Sequence, residues 1–144
     1  MLAFDTNILV YAHRREAVEH TRALAVVAER AERPDPWAIP WPCVFEFFSV
    51  VTNARIWNGA ESTPAQAADQ IGAWLGSPSV QPIGETPEFW GVLERFLRRP
   101  RVRGPVVHDA RVAAICVAHG VDLLVTRDRD FSLFPELRQH DPFE

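Results

Sequence analysis

Four carboxylates in this chain stand where they could act together on a phosphate. Asp5 ends a short apolar run, Leu2–Phe4, and precedes a second one. Glu46 sits in CVFEFFSVV, with no other charge from Trp37 to Ala54. Asp109 lies in PVVHDARVAAI, and Asp128 lies in TRDRDF, just after the apolar stretch VDLLVT. Each has a plainer reading. Asp5 suits a helix N-cap, Asp109 suits the positive end of a helix dipole, and Asp128 with Asp130 suits a turn. Glu46 resists one, because a lone acid in an apolar helix is costly unless it is paired or bound. At helical spacing Glu46, Ser49 and Asn53 form one polar stripe. Four acids brought together repel one another, and a hard divalent cation, Mg²⁺ or Mn²⁺, resolves that repulsion through oxygen ligands. The chemistry that fits is phosphodiester hydrolysis, with no side-chain nucleophile needed. His108 adjoins Asp109 but points about 100° away around the helix, which makes it a supporting or structural group.

Whether the acids meet depends on the elements that carry them. The reading is a strand at 2–5 and a helix at 6–13 capped by Thr6 or Asn7. A helix at 16–33 is stopped by Pro34 and Pro36, and a strand follows at 37–40. A buried helix spans 41–56, and a loop leads to a helix at 64–75 that begins with proline. A strand at 79–83 and a helix at 86–97 precede an arginine-rich turn. The pattern then gives a helix at 105–120 closed by Gly120, a strand at 121–126 and an edge strand near Leu137. Alternating strands and helices predict an α/β domain with a mainly parallel sheet. In such domains sites form beyond the carboxyl ends of the strands, where Asp5 and Asp128 fall.

Composition narrows the chemistry further. The 144 residues predict one domain with a substantial core. No apolar run reaches the roughly 18 residues of a membrane span, and no basic segment precedes the first apolar run, so a cytoplasmic protein is expected. Cys43 and Cys116 sit in apolar surroundings and read as buried thiols. All 15 basic residues are arginine. The absence of lysine excludes a P-loop, a Schiff base and a receiver-type phosphoacceptor site leaning on lysine. Net charge is −4, yet Arg95, Arg98, Arg99, Arg101 and Arg103 crowd into ERFLRRPRVRG. That cluster is either a solvated helix end or a phosphate-contacting edge formed by Arg98, Arg99, Arg101 and Arg103, an RNA-binding edge if the partner is RNA.

FDTNILVYA, FEFFSVVTN, HDARVAAICVAHGVDLLVTRDRDF and the closing DPF together resemble the PIN-domain ribonucleases, and among them the VapC-type toxins of bacterial toxin–antitoxin pairs. The resemblance spans the whole chain, 1–144. It implies a three-layer α/β/α sandwich around a sheet of four or five strands, and a Mg²⁺- or Mn²⁺-dependent endoribonuclease acting on structured RNA. It matches the metal-binding and catalytic acids to Asp5, Glu46, Asp109 and Asp128. Asp130 is either a further metal ligand or a loop-holding residue. Asn7 and Thr126 match positions that orient ligands and water, and Ser49 joins them beside Glu46. A homodimer inhibited by a VapB-type antitoxin is implied as well. Some of the five tryptophans would then line an interface, although core packing is their ordinary role. A PIN-type nuclease without an antitoxin and an inactive binding domain are the alternatives.

Overall fold

The computed structural model describes residues 1–144. Its centre is a five-stranded sheet in the order β3-β2-β1-β4-β5, with every neighbouring pair parallel. The strands are β1 (Leu2–Phe4), β2 (Trp37–Pro40), β3 (Val80–Ile83), β4 (Leu123–Val125) and β5 (Arg138–His140). The three inner strands are apolar, as sheets covered on both faces require. β1 lies at the middle, so a strand of only three residues sits in the deepest part of the core.

Seven helices cover the sheet: α1 (Thr6–His13), α2 (His20–Glu32), α3 (Trp41–Val51), α4 (Ala54–Trp57), α5 (Pro64–Leu75), α6 (Phe89–Leu97) and α7 (Val106–Ala118). The connections β1→β2→β3 step one way along the sheet, and β3→β4 returns the other way. Right-handed crossovers therefore place α1 to α5 on one face and α6 with α7 on the other. The packing agrees: α1 packs on α2 and α3, and α6 packs on α7. This is the expected three-layer sandwich, with five strands. No helix is long and apolar enough to cross a membrane.

Three local expectations change. The helix read at 16–33 begins only at His20, because Arg14 to Glu19 turn the chain back so that α2 can pack on α1. The helix read at 41–56 breaks after Val51. Asn53 leaves the polar stripe and caps α4 instead, its side chain accepting from the Arg55 N–H at 2.9 Å. The third change concerns the first helix. Asp5 itself is the N-cap of α1, its carboxylate accepting from the Thr6 N–H at 2.8 Å. Thr6 and Asn7 are already helical, so the cap and the candidate catalytic acid are one residue.

Candidate active site

The strand order reverses between β1 and β4, and a crevice opens at the carboxyl ends of these two strands. The pairing continues one step past the strands, with the Asp5 N–H donating to the Val125 carbonyl at 3.1 Å. That bond sets Asp5 beside Thr126. A cavity of about 290 Å³ lies there, lined by Asp5, Glu46, Asp109 and Asp128 together with Thr6, Asn7, Val10, Tyr11, Val50, Ile56, Trp57 and Val112. All four sequence-predicted acids thus reach one cleft from β1, α3, α7 and the end of β4.

Asp5 is almost fully buried and is held by four donors. Oδ1 accepts from the Thr6 N–H at 2.8 Å and from the Cys43 thiol at 3.5 Å. Oδ2 accepts from the Thr126 hydroxyl at 2.7 Å and from the Asn7 amide at 3.2 Å. Thr126 Oγ1 also accepts from Asn7 Nδ2 at 3.2 Å and from the Asp128 N–H at 3.0 Å. One donated and two accepted bonds use its full capacity. Asn7 closes the ring by accepting from the Arg127 N–H at 3.2 Å. Asn7 and Thr126 thus fix Asp5 and the backbone that presents Asp128.

Asp128 caps a short 3-10 helix, Arg129–Leu133, by accepting from the Asp130 N–H at 2.9 Å. Asp130 is exposed and lies outside the cavity lining. Even so, oxygens of Asp109, Asp128 and Asp130 lie within 4.8 Å of one another, a spacing that one cation can span. Glu46 lines the cleft from α3, but it is exposed and not buried as the apolar helix suggested. The reason is that α3 does not bury all of its apolar residues, and Trp41, Phe45 and Phe48 also stay on the surface. Ser49 is exposed, its hydroxyl makes no hydrogen bond, and it lines an adjoining cavity of about 520 Å³ with Glu46, His108, Asp109 and Arg111.

The charges of the cleft are uncompensated. Eight other carboxylates of the chain have cationic partners, whereas none of Asp5, Glu46, Asp109, Asp128 and Asp130 has one. Burial pushes the Asp5 carboxyl up to about 6, against the hydrogen bonds from Thr126 and Thr6 and with help from the charge of Glu46. Loss of solvation, then the charges of Asp128, Asp5, Asp130 and Glu46, push Asp109 up to about 7. Carboxylates crowded this way without a counter-charge hold protons near neutral pH. An all-oxygen donor set with spare negative charge fits Mg²⁺ or Mn²⁺ and does not fit zinc, which favours histidine and cysteine.

The arginine cluster is less uniform than the sequence suggested. Arg99 is tied to the fold: it pairs with Glu136, donates to the Leu133 carbonyl at 2.8 Å and lies 4.8 Å over the Phe96 ring. Arg98 pairs with Glu94 one turn back at 2.7 Å. Arg103 donates to the Pro100 carbonyl at 2.6 Å, and Arg101 is exposed with no partner. None of the four lines the cleft. Sequence reasoning missed the apolar wall of the cleft, Val10, Tyr11, Val50, Ile56 and Trp57. Its one signal was Ile56-Trp57, an apolar pair beside the polar turn Asn58-Gly59.

This combination of switch-point crevice and acid cluster defines a nuclease-like site, and comparison with known proteins agrees. The family model described as PIN domain matches residues 2–137. Ribonuclease VapC48 of Mycobacterium tuberculosis is 32% identical over 140 residues, 97% of this chain and 96% of the relative. The chain therefore belongs to the PIN-domain family and, within it, to the VapC ribonucleases. Ribonuclease VapC43 of the same organism is 28% identical over 144 residues, 100% of this chain and 97% of the relative. Among solved structures, the sarcin-ricin loop cleaving toxin VapC20 of M. tuberculosis superposes with a TM-score of 0.67 at 18% identity, covering 92% of this chain and 93% of that one. VapBC2 of Rickettsia felis, bound to a DNA fragment from its promoter, gives 0.64 at 20% identity, with 96% of both chains covered.

Proposed function

We propose that the chain is a divalent-metal-dependent endoribonuclease toxin that hydrolyses structured RNA and is held inactive by a VapB-type antitoxin. The observation that carries this reading is the convergence of five acids at one sheet edge with no cationic partner among them, four lining one cleft and three of them, Asp109, Asp128 and Asp130, close enough to share one cation. Asp109, Asp128 and Asp130 would hold the ion, with Asp5 and Glu46 completing the charge of the site. A Mg²⁺ or Mn²⁺ ion held there would supply the activation of water and the offset of charge at phosphorus. The chain's own contribution is orientation. Thr126 and Asn7 keep the Asp5 carboxylate aimed into the cleft, and Thr126 also fixes the backbone that presents Asp128. Asp109 stands in the first turn of α7, near its positive end, so that helix favours its ionised form once a cation is present.

Similarity to VapC48 and to VapBC complexes supports the antitoxin. Trp41, Phe45 and Phe48, exposed along α3, support a homodimer. The RNA substrate and the two buried free cysteines accord with work in a reducing cytoplasm. The test is cleavage of total cellular RNA by the purified chain with Mg²⁺ or Mn²⁺. Discrete new RNA ends are expected, absent with chelator and absent for Asp128→Asn. Cleavage that persists in chelator would overturn the metal assignment.

A further inference from the structure

We propose that the apolar wall of the cleft is a nucleobase subsite, receiving one unpaired base of the RNA strand next to the phosphate held at the acids. This rests on the ribonuclease reading and names what that site selects. The cleft has two unlike halves. Hydrolysis uses the acid half, and it assigns no work to Val10, Tyr11, Val50, Ile56 and Trp57 on the other side.

That wall is held in place. Ile56 and Trp57 lie on α4, a single turn capped by Asn53 and closed by Asn58 in the left-handed conformation, φ +50°. The Trp57 indole N–H donates to the Val50 carbonyl at 2.8 Å. The guanidinium of Arg14, itself buried, lies 3.9 Å over the Trp57 ring. Arg14 in turn donates to the Ala60 carbonyl at 2.7 Å and pairs with Glu16. Yet Ile56, beside this braced tryptophan, leaves half of its surface in water. A single exposed apolar side chain is ordinary, but Ile56 belongs to a wall of five apolar residues that lines the cleft opposite the acids, where a flat apolar group could be buried against it.

The ligand's chemistry follows from its neighbour. A phosphate at the acids carries its own sugar and base, and the base is the apolar, flat part within reach. A cavity of about 290 Å³ is at the bottom of the roughly 300–1,000 Å³ of small-ligand sites. That is room for one base beside its phosphate, and bases free to turn out of the stack into such a cleft are the unpaired ones of loops, bulges and ends. Glu46 and Asp109 also line the adjoining 520 Å³ cavity, which gives the strand a way out past the acids. Arg14 is a positioning residue here, acting through Trp57.

The test uses RNA hairpins with a randomised loop, mapped for cleavage by the purified chain with Mn²⁺. An abasic nucleotide is then placed at each loop position of a cleaved hairpin. At one position beside the cut bond, the abasic RNA is expected to raise KM about tenfold or more for the wild type. Ile56→Ala is expected to raise KM for the intact RNA and to shrink that abasic penalty, and Ile56→Trp to restore it. Arg14→Gln should raise KM more than it lowers kcat with intact RNA, and hardly affect the abasic RNA. A purely structural arginine would not discriminate the two. An abasic penalty equal in wild type and Ile56→Ala overturns the subsite, as does a flat abasic profile. If Ile56→Ala instead escapes inhibition by a protein partner with its RNA profile intact, the wall belongs to that partner and the proposal fails. No cleavage of any hairpin by the wild type, under conditions where its fold is intact, overturns the ribonuclease reading itself.

Discussion

The two ends of the same pair of strands treat their acids in opposite ways. Before β4, Asp122 pairs with the amino group of Met1 at 2.6 Å, and Arg30 and Arg138 line the same shallow hollow. That amino group holds the Asp122 carboxyl below the ordinary range. Beyond the carboxyl ends, Asp5 and Asp109 have no cation and are pushed up to about 6 and 7. A matched acid is an ordinary surface group. Buried, mutually repelling acids cost stability and mark the place where the protein relies on something it does not itself contain.

The largest expected effect comes from exchanging amides at the two ends. Asp109→Asn should lower RNA cleavage by at least about a hundredfold, as the loss of a metal-holding acid does. Asp109 accepts no hydrogen bond, so the metal-free variant should melt no lower than the wild type. Asp122→Asn should leave cleavage unchanged and lower the melting temperature slightly. Equal activity of all three proteins in a gel-based cleavage assay would remove the contrast. Thr126→Val keeps the shape but deletes the hydroxyl that organises Asp5 and Asp128. Cleavage should fall about 10- to 100-fold, and chemical denaturation should report a loss of about 1–3 kcal/mol.

Metal and pH probe the same imbalance. Mg²⁺ or Mn²⁺ at about a hundred times its Kd should stabilise the fold by about 2.7 kcal/mol. Scanning calorimetry should show a smaller effect for Asp109→Asn. Without metal, Asp5 and Asp109 hold protons more tightly folded than unfolded, with pKa values of about 6 and 7 against 3.8. Their contribution is complete below pH 3.8 and is lost as the pH rises through 6 and 7. The melting temperature of the metal-free wild type should therefore fall relative to Asp109→Asn across that interval. A constant difference would mean that Asp109 is not perturbed. The smallest effect concerns the arginine cluster. Arg101→Ser should reduce the salt slope of RNA binding by roughly 0.7–0.9. Arg99→Ser should leave the slope alone and lower the melting temperature, because Arg99 braces Glu136 and Phe96.

Local chemistry made much of this legible. Pro64 after Thr63 marked the start of α5, where the structure has a capping box with Gln66. Trp37–Pro40, bounded by prolines, is β2. Singly, Asp5, Asp109 and Asp128 have plain readings as cap, first-turn and turn residues; the four acids were legible jointly, because an α/β sheet would bring strand ends and helices together at one edge. Asp5 misled in one respect: the cap and the catalytic acid read as rival roles, but one carboxylate oxygen caps α1 while the other takes the Thr126 hydroxyl. Glu46 was found for a reason that fails. Its helix looked buried on every side, and hydropathy cannot distinguish a buried face from an exposed apolar one. The apolar wall was invisible because Val10, Tyr11, Val50, Ile56 and Trp57 come from three helices.

By itself, then, the sequence determined which residues carry charge in apolar surroundings and which segments alternate as strand and helix. Those properties depend on near neighbours in the chain. The tertiary structure alone decided that β4 lies beside β1, so that Thr126, 121 residues from Asp5, donates to its carboxylate. It also decided that Arg99 serves the fold, that Glu46 is open to solvent, and that an apolar wall faces the acids. Each of these is a contact between distant segments, and pairing and packing energies that no local pattern encodes select it.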